Sequence, residues 1–187
     1  MTFLVLGCLA FVFFYIFDLN KLFSWHKRLN IFFAIGIAVL AVSTVGALFS
    51  GPRLFEFSFA IRLLWGSLSI ITLLLVPYTL FFALPFTQTY LETANQNTVI
   101  DTGMYALCRH PGVLWFLLFY LFLWLTSGKA LVLWGGLLWT LMDIIHVYVQ
   151  DRWVFPKIII GYDQYKDKVP FLIPDRNSIR QAITTFK

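Results

Sequence analysis

The sequence predicts an all-α fold, a polytopic membrane helix bundle of about five transmembrane helices with a cytoplasmic C-terminal tail packing on the bundle. Three observations carry that expectation. First, 60% of the 187 residues are hydrophobic and only 12% are charged, with mean hydropathy +0.81. A soluble domain sits nearer half apolar and a quarter charged. Second, several apolar runs approach the ~20 residues that a helix needs to cross a bilayer. Third, Lys and Arg gather beside the apolar runs and form no single basic face, so the +5 net charge is not a nucleic-acid signal.

The elements follow in order. Nothing basic precedes the apolar run 3–17 and no small-residue cleavage site follows it, which predicts a retained first helix over 2–19 and not a signal peptide. Trp25 and His26 give the stretch 20–28 a membrane-boundary composition. A second helix is expected over 30–49, with Ala34 and Ala38 as a small-residue contact face. Ser50-Gly51-Pro52-Arg53 is a turn. A third helix is expected over 59–84, with Arg62 snorkelling to the interface, Pro77 kinking the helix and Pro85 ending it. The polar segment 86–97 suits a surface lid. Thr102-Gly103 opens a short helix over 104–109, and Pro111 stands in the first turn of the next. Helices over 112–126 and 130–149 are joined by Ser127-Gly128-Lys129, which allows only a tight antiparallel hairpin. The tail, 150–187, has seven basic residues and is too polar to span.

The whole chain therefore reads as one integral-membrane domain. Its parts are three helices in 1–85, a cytoplasmic loop in 86–111, a hairpin in 112–149 and a cytoplasmic tail in 150–187. Five spans put the termini on opposite sides. With the N-terminus outside, eleven Lys and Arg face the cytoplasm, and only Arg53, Arg62 and Lys129 face out. The positive-inside rule expects this orientation. Cys8 and Cys108 then fall toward opposite faces and read as free thiols, with no metal-binding spacing.

An ionisable residue inside a membrane helix is a functional-site hypothesis by default. Asp143 lies about 9 Å from the end of the fifth helix at 1.5 Å per residue. His146 and Gln150 share its face within about 60°, and Asp151 lies on the flank. The alternative reading is that Asp143 pairs with His146 and pins the bundle. Arg109-His110 precede Pro111, which fixes the backbone, and a guanidinium there can clamp a carboxylate or a phosphate. The alternative for Arg109 is contact with lipid headgroups. In the tail, Val169-Pro170-Phe171-Leu172-Ile173-Pro174 is apolar and rigid, and is expected to pack back on the bundle or the membrane surface. Residues 175–187 show no readable chemistry. Gly-rich phosphate loops, a nucleophile elbow and metal spacings are all absent.

Thr102-Gly103-Met104-Tyr105, Arg109-His110-Pro111, an apolar hairpin, Gln150-Asp151, Gly161 with Tyr165, and Val169-Pro170-Phe171 with Ile173-Pro174 occur in that order. This set resembles the integral-membrane methyltransferases, the isoprenylcysteine carboxyl methyltransferase and phospholipid methyltransferase superfamily. The resemblance covers about residues 98–174. It implies S-adenosylmethionine as cofactor on the cytoplasmic side, with Tyr105, Arg109, His110 and Pro111 lining its pocket. Gln150 and Asp151 would replace the family's acidic pair, and Tyr165 would sit in the covering tail. Two positions depart from the pattern: Val113 stands where the family usually has Tyr, and Gln150 where it usually has Glu.

The implied reaction is methyl transfer to a lipid or hydrophobic small-molecule acceptor at the cytoplasmic face. Arg109 suits the cofactor carboxylate, and Asp151 its amine or ribose hydroxyls. In-line methyl transfer needs no metal and depends on positioning and water exclusion. An amine acceptor would give its proton to His146 or Asp143. Arg109, Asp143 and His146 are thus the expected catalytic residues. One competing expectation is an NADPH-dependent membrane reductase of the steroid-reductase type. Its 2′-phosphate would call for further basic residues near Arg109, which the central loop lacks. The other is a non-catalytic lipid-binding relative, favoured by Val113 and Gln150. The expected partners are membrane lipids and a hydrophobic substrate, with no nucleic acid.

Overall fold

A computed structural model of the protein describes residues 1–83 and 99–186. The chain is all-α; among the described residues no strand occurs, and Arg53 and Lys129 form an isolated antiparallel bridge. The long helices are α1 (Thr2–Phe23), α2 (Ile31–Phe49, after a 3-10 turn Lys27–Asn30), α3 (Phe59–Tyr78, continued by a π turn Thr79–Ala83), α5 (Pro111–Ser127) and α6 (Ala130–Val149, continued by a π turn Gln150–Val154). The short ones are α4 (Met104–Leu107), α7 (Phe155–Ile158), α8 (Tyr162–Lys168) and α9 (Arg176–Thr185). The expected lid segment 86–97 lies outside the described residues.

Four stretches are long and apolar enough to cross a membrane: Thr2–Phe23, Lys27–Phe49, Phe59–Phe82 and Ala130–Ile158. The fifth expected span, α5, is apolar but has only 17 residues. At 1.5 Å per residue it reaches about 25 Å, against a hydrocarbon core of about 30 Å. Only 11% of the apolar window in Phe59–Phe82 is buried within the chain. Such exposure suits a helix whose apolar faces meet lipid, because lipid tails are as apolar as leucine.

By its contacts the chain divides into two compact units, Met1–Leu73 with Phe116–His146, and Leu74–Trp115 with Val147–Lys187.

The first unit is built on close helix approach. Phe11, Ala47, Phe119, Tyr120, Val132 and Trp139 form its core. A Cβ on Gly7 would collide with the Trp139 indole, so glycine is what lets α1 and α6 meet here. The indole N–H donates to the Leu4 carbonyl at 3.1 Å. Between α2 and α5, the Thr44 and Tyr120 hydroxyls bond at 2.6 Å. Ser24 takes a left-handed conformation (φ 52°) to end α1, four residues beyond the expected stop. Asn20 then holds the turn: its Nδ2 donates to Asn30 Oδ1, and its Oδ1 accepts from the His26 N–H, both at 2.9 Å. His26 is itself part of this turn, with Nδ1 accepting from the Arg28 N–H. The expected contact pair Ala34 and Ala38 is exposed. Gly36, two residues from either alanine and so on the opposite side of α2, is buried instead and packs on Phe14 of α1.

In the second unit, α-helical register ends at Tyr78, right after Pro77, and not at the expected residue 84. Proline lacks an N–H and its ring crowds the carbonyl four residues back, so the ladder loosens. The Thr79 hydroxyl covers the Leu75 and Val76 carbonyls at 3.1 and 2.7 Å. The second π turn precedes Pro156 for the same reason: the Phe155 N–H reaches back five residues to Gln150, and Pro156 has no N–H to offer Arg152. The α-helical register of α6 thus ends at the expected residue 149, and the chain winds on through the π turn and α7 to Ile158. The central helix is shorter than expected, because Cys108 turns extended after Leu107. In the stretch expected to pack on the bundle or the membrane surface, Val169 is buried and Ile173 is 84% exposed.

Candidate functional site

The second unit converges on one carboxylate. Asp151, in the π turn after α6, is only 6% exposed. Its Oδ1 accepts from the Tyr162 hydroxyl at 2.7 Å and lies 3.2 Å from His110 Nε2. With the ring proton on Nε2, His110 is a second donor. Arg109 Nε stands 3.0 Å from the same oxygen, yet it is a buried donor with no aligned hydrogen bond among the described residues. Arg109 is therefore held to Asp151 by charge, while its Nη1 donates to the Lys166 carbonyl at 2.9 Å. Lys166 Nζ lies 3.9 Å from Asp151 Oδ2 and donates to the Asp151 carbonyl at 3.5 Å.

Local structure aims these groups. Extended Cys108 frees the next residue to join the tail, and the Arg109 N–H donates to the Pro170 carbonyl at 2.9 Å. Pro111 starts α5 immediately after His110. The His110 ring stacks on Phe155 and meets Phe171 edge-on, with centroids 5.9 and 5.1 Å away. The Arg109 guanidinium lies over Phe171 at 5.6 Å, a cation–π contact. Gly161, at φ 81°, opens α8 and places Tyr162, Tyr165 and Lys166 on one face. The Tyr165 hydroxyl donates to the Tyr105 carbonyl at 2.7 Å, and the Tyr105 hydroxyl donates to the Thr79 carbonyl at 3.0 Å. Burial, then the adjoining Asp151 carboxylate, push the Tyr162 phenol well above its ordinary value, and burial does the same to Tyr165. Both remain donors throughout the physiological range.

Of the expected residues, the structure brings together Arg109, His110 and Asp151, and links Tyr165 to Tyr105. Pro111 is fully buried, and Gln150 and Val113 are buried. Comparison with protein-family models, with curated proteins and with solved structures finds no significant match. The arrangement thus speaks only through its own chemistry. It holds two formal cations, one carboxylate, an imidazole and two phenols beside aromatic rings. A depression of about 310 Å³ along residues 156–164 shares Tyr162 with the cluster.

Asp143 and His146 belong to the first unit. The alternative reading paired His146 with Asp143; the hydrogen bond that His146 Nε2 makes is to Asp18 Oδ2 of α1, at 2.7 Å, and both of these side chains are buried. Tyr15 meets the His146 ring edge-on at 4.9 Å. Asp143, one turn earlier, is half-buried.

Three residues escaped the sequence reading: Asp18, Tyr162 and Lys166. Asp18 carried the same signal as Asp143, an ionisable group within an apolar run. The spacing of Tyr162, Tyr165 and Lys166 at i, i+3 and i+4 was the signal for the α8 face.

Proposed function

We propose that the protein is an S-adenosylmethionine-dependent methyltransferase acting on a lipid or hydrophobic small molecule at the cytoplasmic membrane face. One observation carries this reading: the Arg109-His110 stretch and the tail meet on the carboxylate of Asp151. The donor set fits the cofactor in kind. Arg109 and Lys166 suit an α-carboxylate, and Asp151 suits an ammonium or ribose hydroxyls. Phe155 and Phe171 supply flat apolar faces. When bound, S-adenosylmethionine supplies an electrophilic methyl group. The protein's share is to orient the cofactor through these groups and to exclude water with the tail, whose Tyr165 ties it to Tyr105. On this reading Tyr162 and His110 keep Asp151 ionised and fixed, as donors to a carboxylate do. Asp143 and His146 enter only if the acceptor is an amine that must lose a proton.

A second reading has an observation of its own. The central loop has no basic residue beyond Arg109, but the tail brings Lys166 beside it. Two cations would suit the 2′-phosphate of NADPH in a membrane reductase.

Calorimetric titration of the detergent-purified protein separates the two. The expected outcome is micromolar binding of S-adenosylmethionine and none of NADPH. Asp151→Asn keeps the shape and removes the charge, and should weaken cofactor binding at least tenfold, about 1.4 kcal/mol. NADPH binding alone would move the protein to the reductases. Binding of neither would leave a non-catalytic relative.

A further inference from the structure

The tail ends in α9, a helix that the site does not use. Asp175 caps it, accepting from the Ser178 N–H at 2.8 Å, while the Ser178 hydroxyl accepts from the Asp175 N–H at 3.0 Å. This reciprocal cap is a strong start for a ten-residue helix. One face of α9 is docked. Ser178 and Ala182 are buried, the Thr185 hydroxyl accepts from the Gly103 N–H at 2.9 Å, and Gln181 Nε2 donates to the Asp101 carbonyl at 3.3 Å. Gly103, at φ 58° and ψ −125°, presents that N–H from a conformation that only glycine adopts easily.

The next face is apolar and uncovered. At about 100° per residue Ile179, Ile183 and Phe186 fall within about 60° of one another, adjoining the docked face. All three are exposed, Ile183 at 72%, and Ile173 in the lead-in is 84% exposed. Beyond the apolar stripe, on the side away from the docked face, stand Arg176 and Arg180. No acidic residue occurs in 176–186. The segment on which α9 docks leads within a few residues into Pro111, the first residue of apolar α5.

We infer that α9 is an interfacial helix that seats its Ile179–Ile183–Phe186 stripe in the acyl boundary of an anionic lipid surface. A second copy of the chain would have to match an apolar stripe edged by two arginines that have no acidic partner among the described residues. An anionic bilayer matches both at once, with apolar residues in the acyl region and guanidinium groups snorkelling to phosphates. The inference needs the membrane setting of the apolar helices but not the methyltransferase reading.

The full-length protein is reconstituted into vesicles of phosphatidylcholine alone, or of phosphatidylcholine with phosphatidylglycerol. A spin label is placed at Ile183→Cys in a Cys8→Ala background, and its access to oxygen and to a water-soluble nickel chelate is measured. In the anionic vesicles residue 183 should lie about 5–10 Å below the phosphates. It should lie shallower in phosphatidylcholine alone, and R176Q with R180Q should abolish the difference. A label at Asn177→Cys, on the opposite side of α9, should stay in water. Residue 183 in water in both vesicles would overturn the proposal, as would residue 177 buried in lipid. Equal depth in both vesicles would overturn the anionic assignment. Burial of residue 183 that grows with the protein-to-lipid ratio would assign the face to a second copy instead.

Discussion

At the scale of single residues, two buried groups make opposite predictions. Asp18 and His146 satisfy one another at 2.7 Å in surroundings that admit little water. Removing one partner of such a pair strands the other and costs about 3–5 kcal/mol, whereas replacing both with apolar groups of similar size is often near neutral. Asp18→Leu and His146→Leu should each lower the melting temperature sharply, and the double variant should recover much of the loss. Additive losses in a thermal-melt cycle would mean that the two side chains act independently. Cys108 is the other case. Burial pushes its thiol up to about 11, only partly offset by the hydrogen bond from the His110 N–H. The neutral thiol is unreactive, so at pH 8 only about one molecule in a thousand carries the thiolate. Maleimide labelling of Cys108 in the folded protein should be negligible at pH 8 and rise only toward pH 11. Fast labelling at neutral pH would show that the residue is not sealed from solvent.

Among the elements, the second π turn matters most for the site. It exists because Pro156 cannot complete an α-helical bond to Arg152, and it sets the direction in which Asp151 points. Pro156→Ala restores the missing N–H and permits continuous α-helix. Losing one extra residue from the turn rotates the flanking segment by about 100°. Helical content by circular dichroism should hold or rise, while the S-adenosylmethionine affinity of the proposed function should fall at least tenfold. Retained affinity would show that the turn is incidental. Neither π turn was legible beforehand. A proline signals a break, but whether the break becomes a bend, a stop or a wider turn depends on what fills the gap. After Pro77 the Thr79 hydroxyl covers the Leu75 and Val76 carbonyls, and the Tyr105 phenol takes the Thr79 carbonyl, from 26 positions away in sequence. The hairpin was legible because Ser127-Gly128-Lys129 leaves no alternative, and α6 begins and ends at the expected residues. The face of α2 was not: Ala34 and Gly36 are both small, and only the partner Phe14 shows which one is covered.

For the whole molecule, the apolar composition foretold the all-α architecture, since each long run had to become a helix to satisfy its own backbone. The meeting of Arg109, His110 and Asp151 was foreshadowed by their order along the chain. Lys166 and Tyr162 were not singled out, because a lysine and a tyrosine in a polar tail look like ordinary surface. The short α5 leaves a sharp question of topology. If it spans, positions 102 and 129, which flank it, lie on opposite faces. An impermeant maleimide should then reach Thr102→Cys and Lys129→Cys from opposite sides of sealed vesicles, whereas labelling from the same side would place α5 in the interface. The bond between Asp18 and His146 also imposes a schedule. It joins positions 128 residues apart. At about 5–20 residues per second, a ribosome needs roughly 6 to 25 s to travel that distance. Throughout that interval α1 already exists and its imidazole partner does not. The newly made α1 must linger where water or the insertion machinery can hold its carboxylate, and only the arrival of α6 lets it settle.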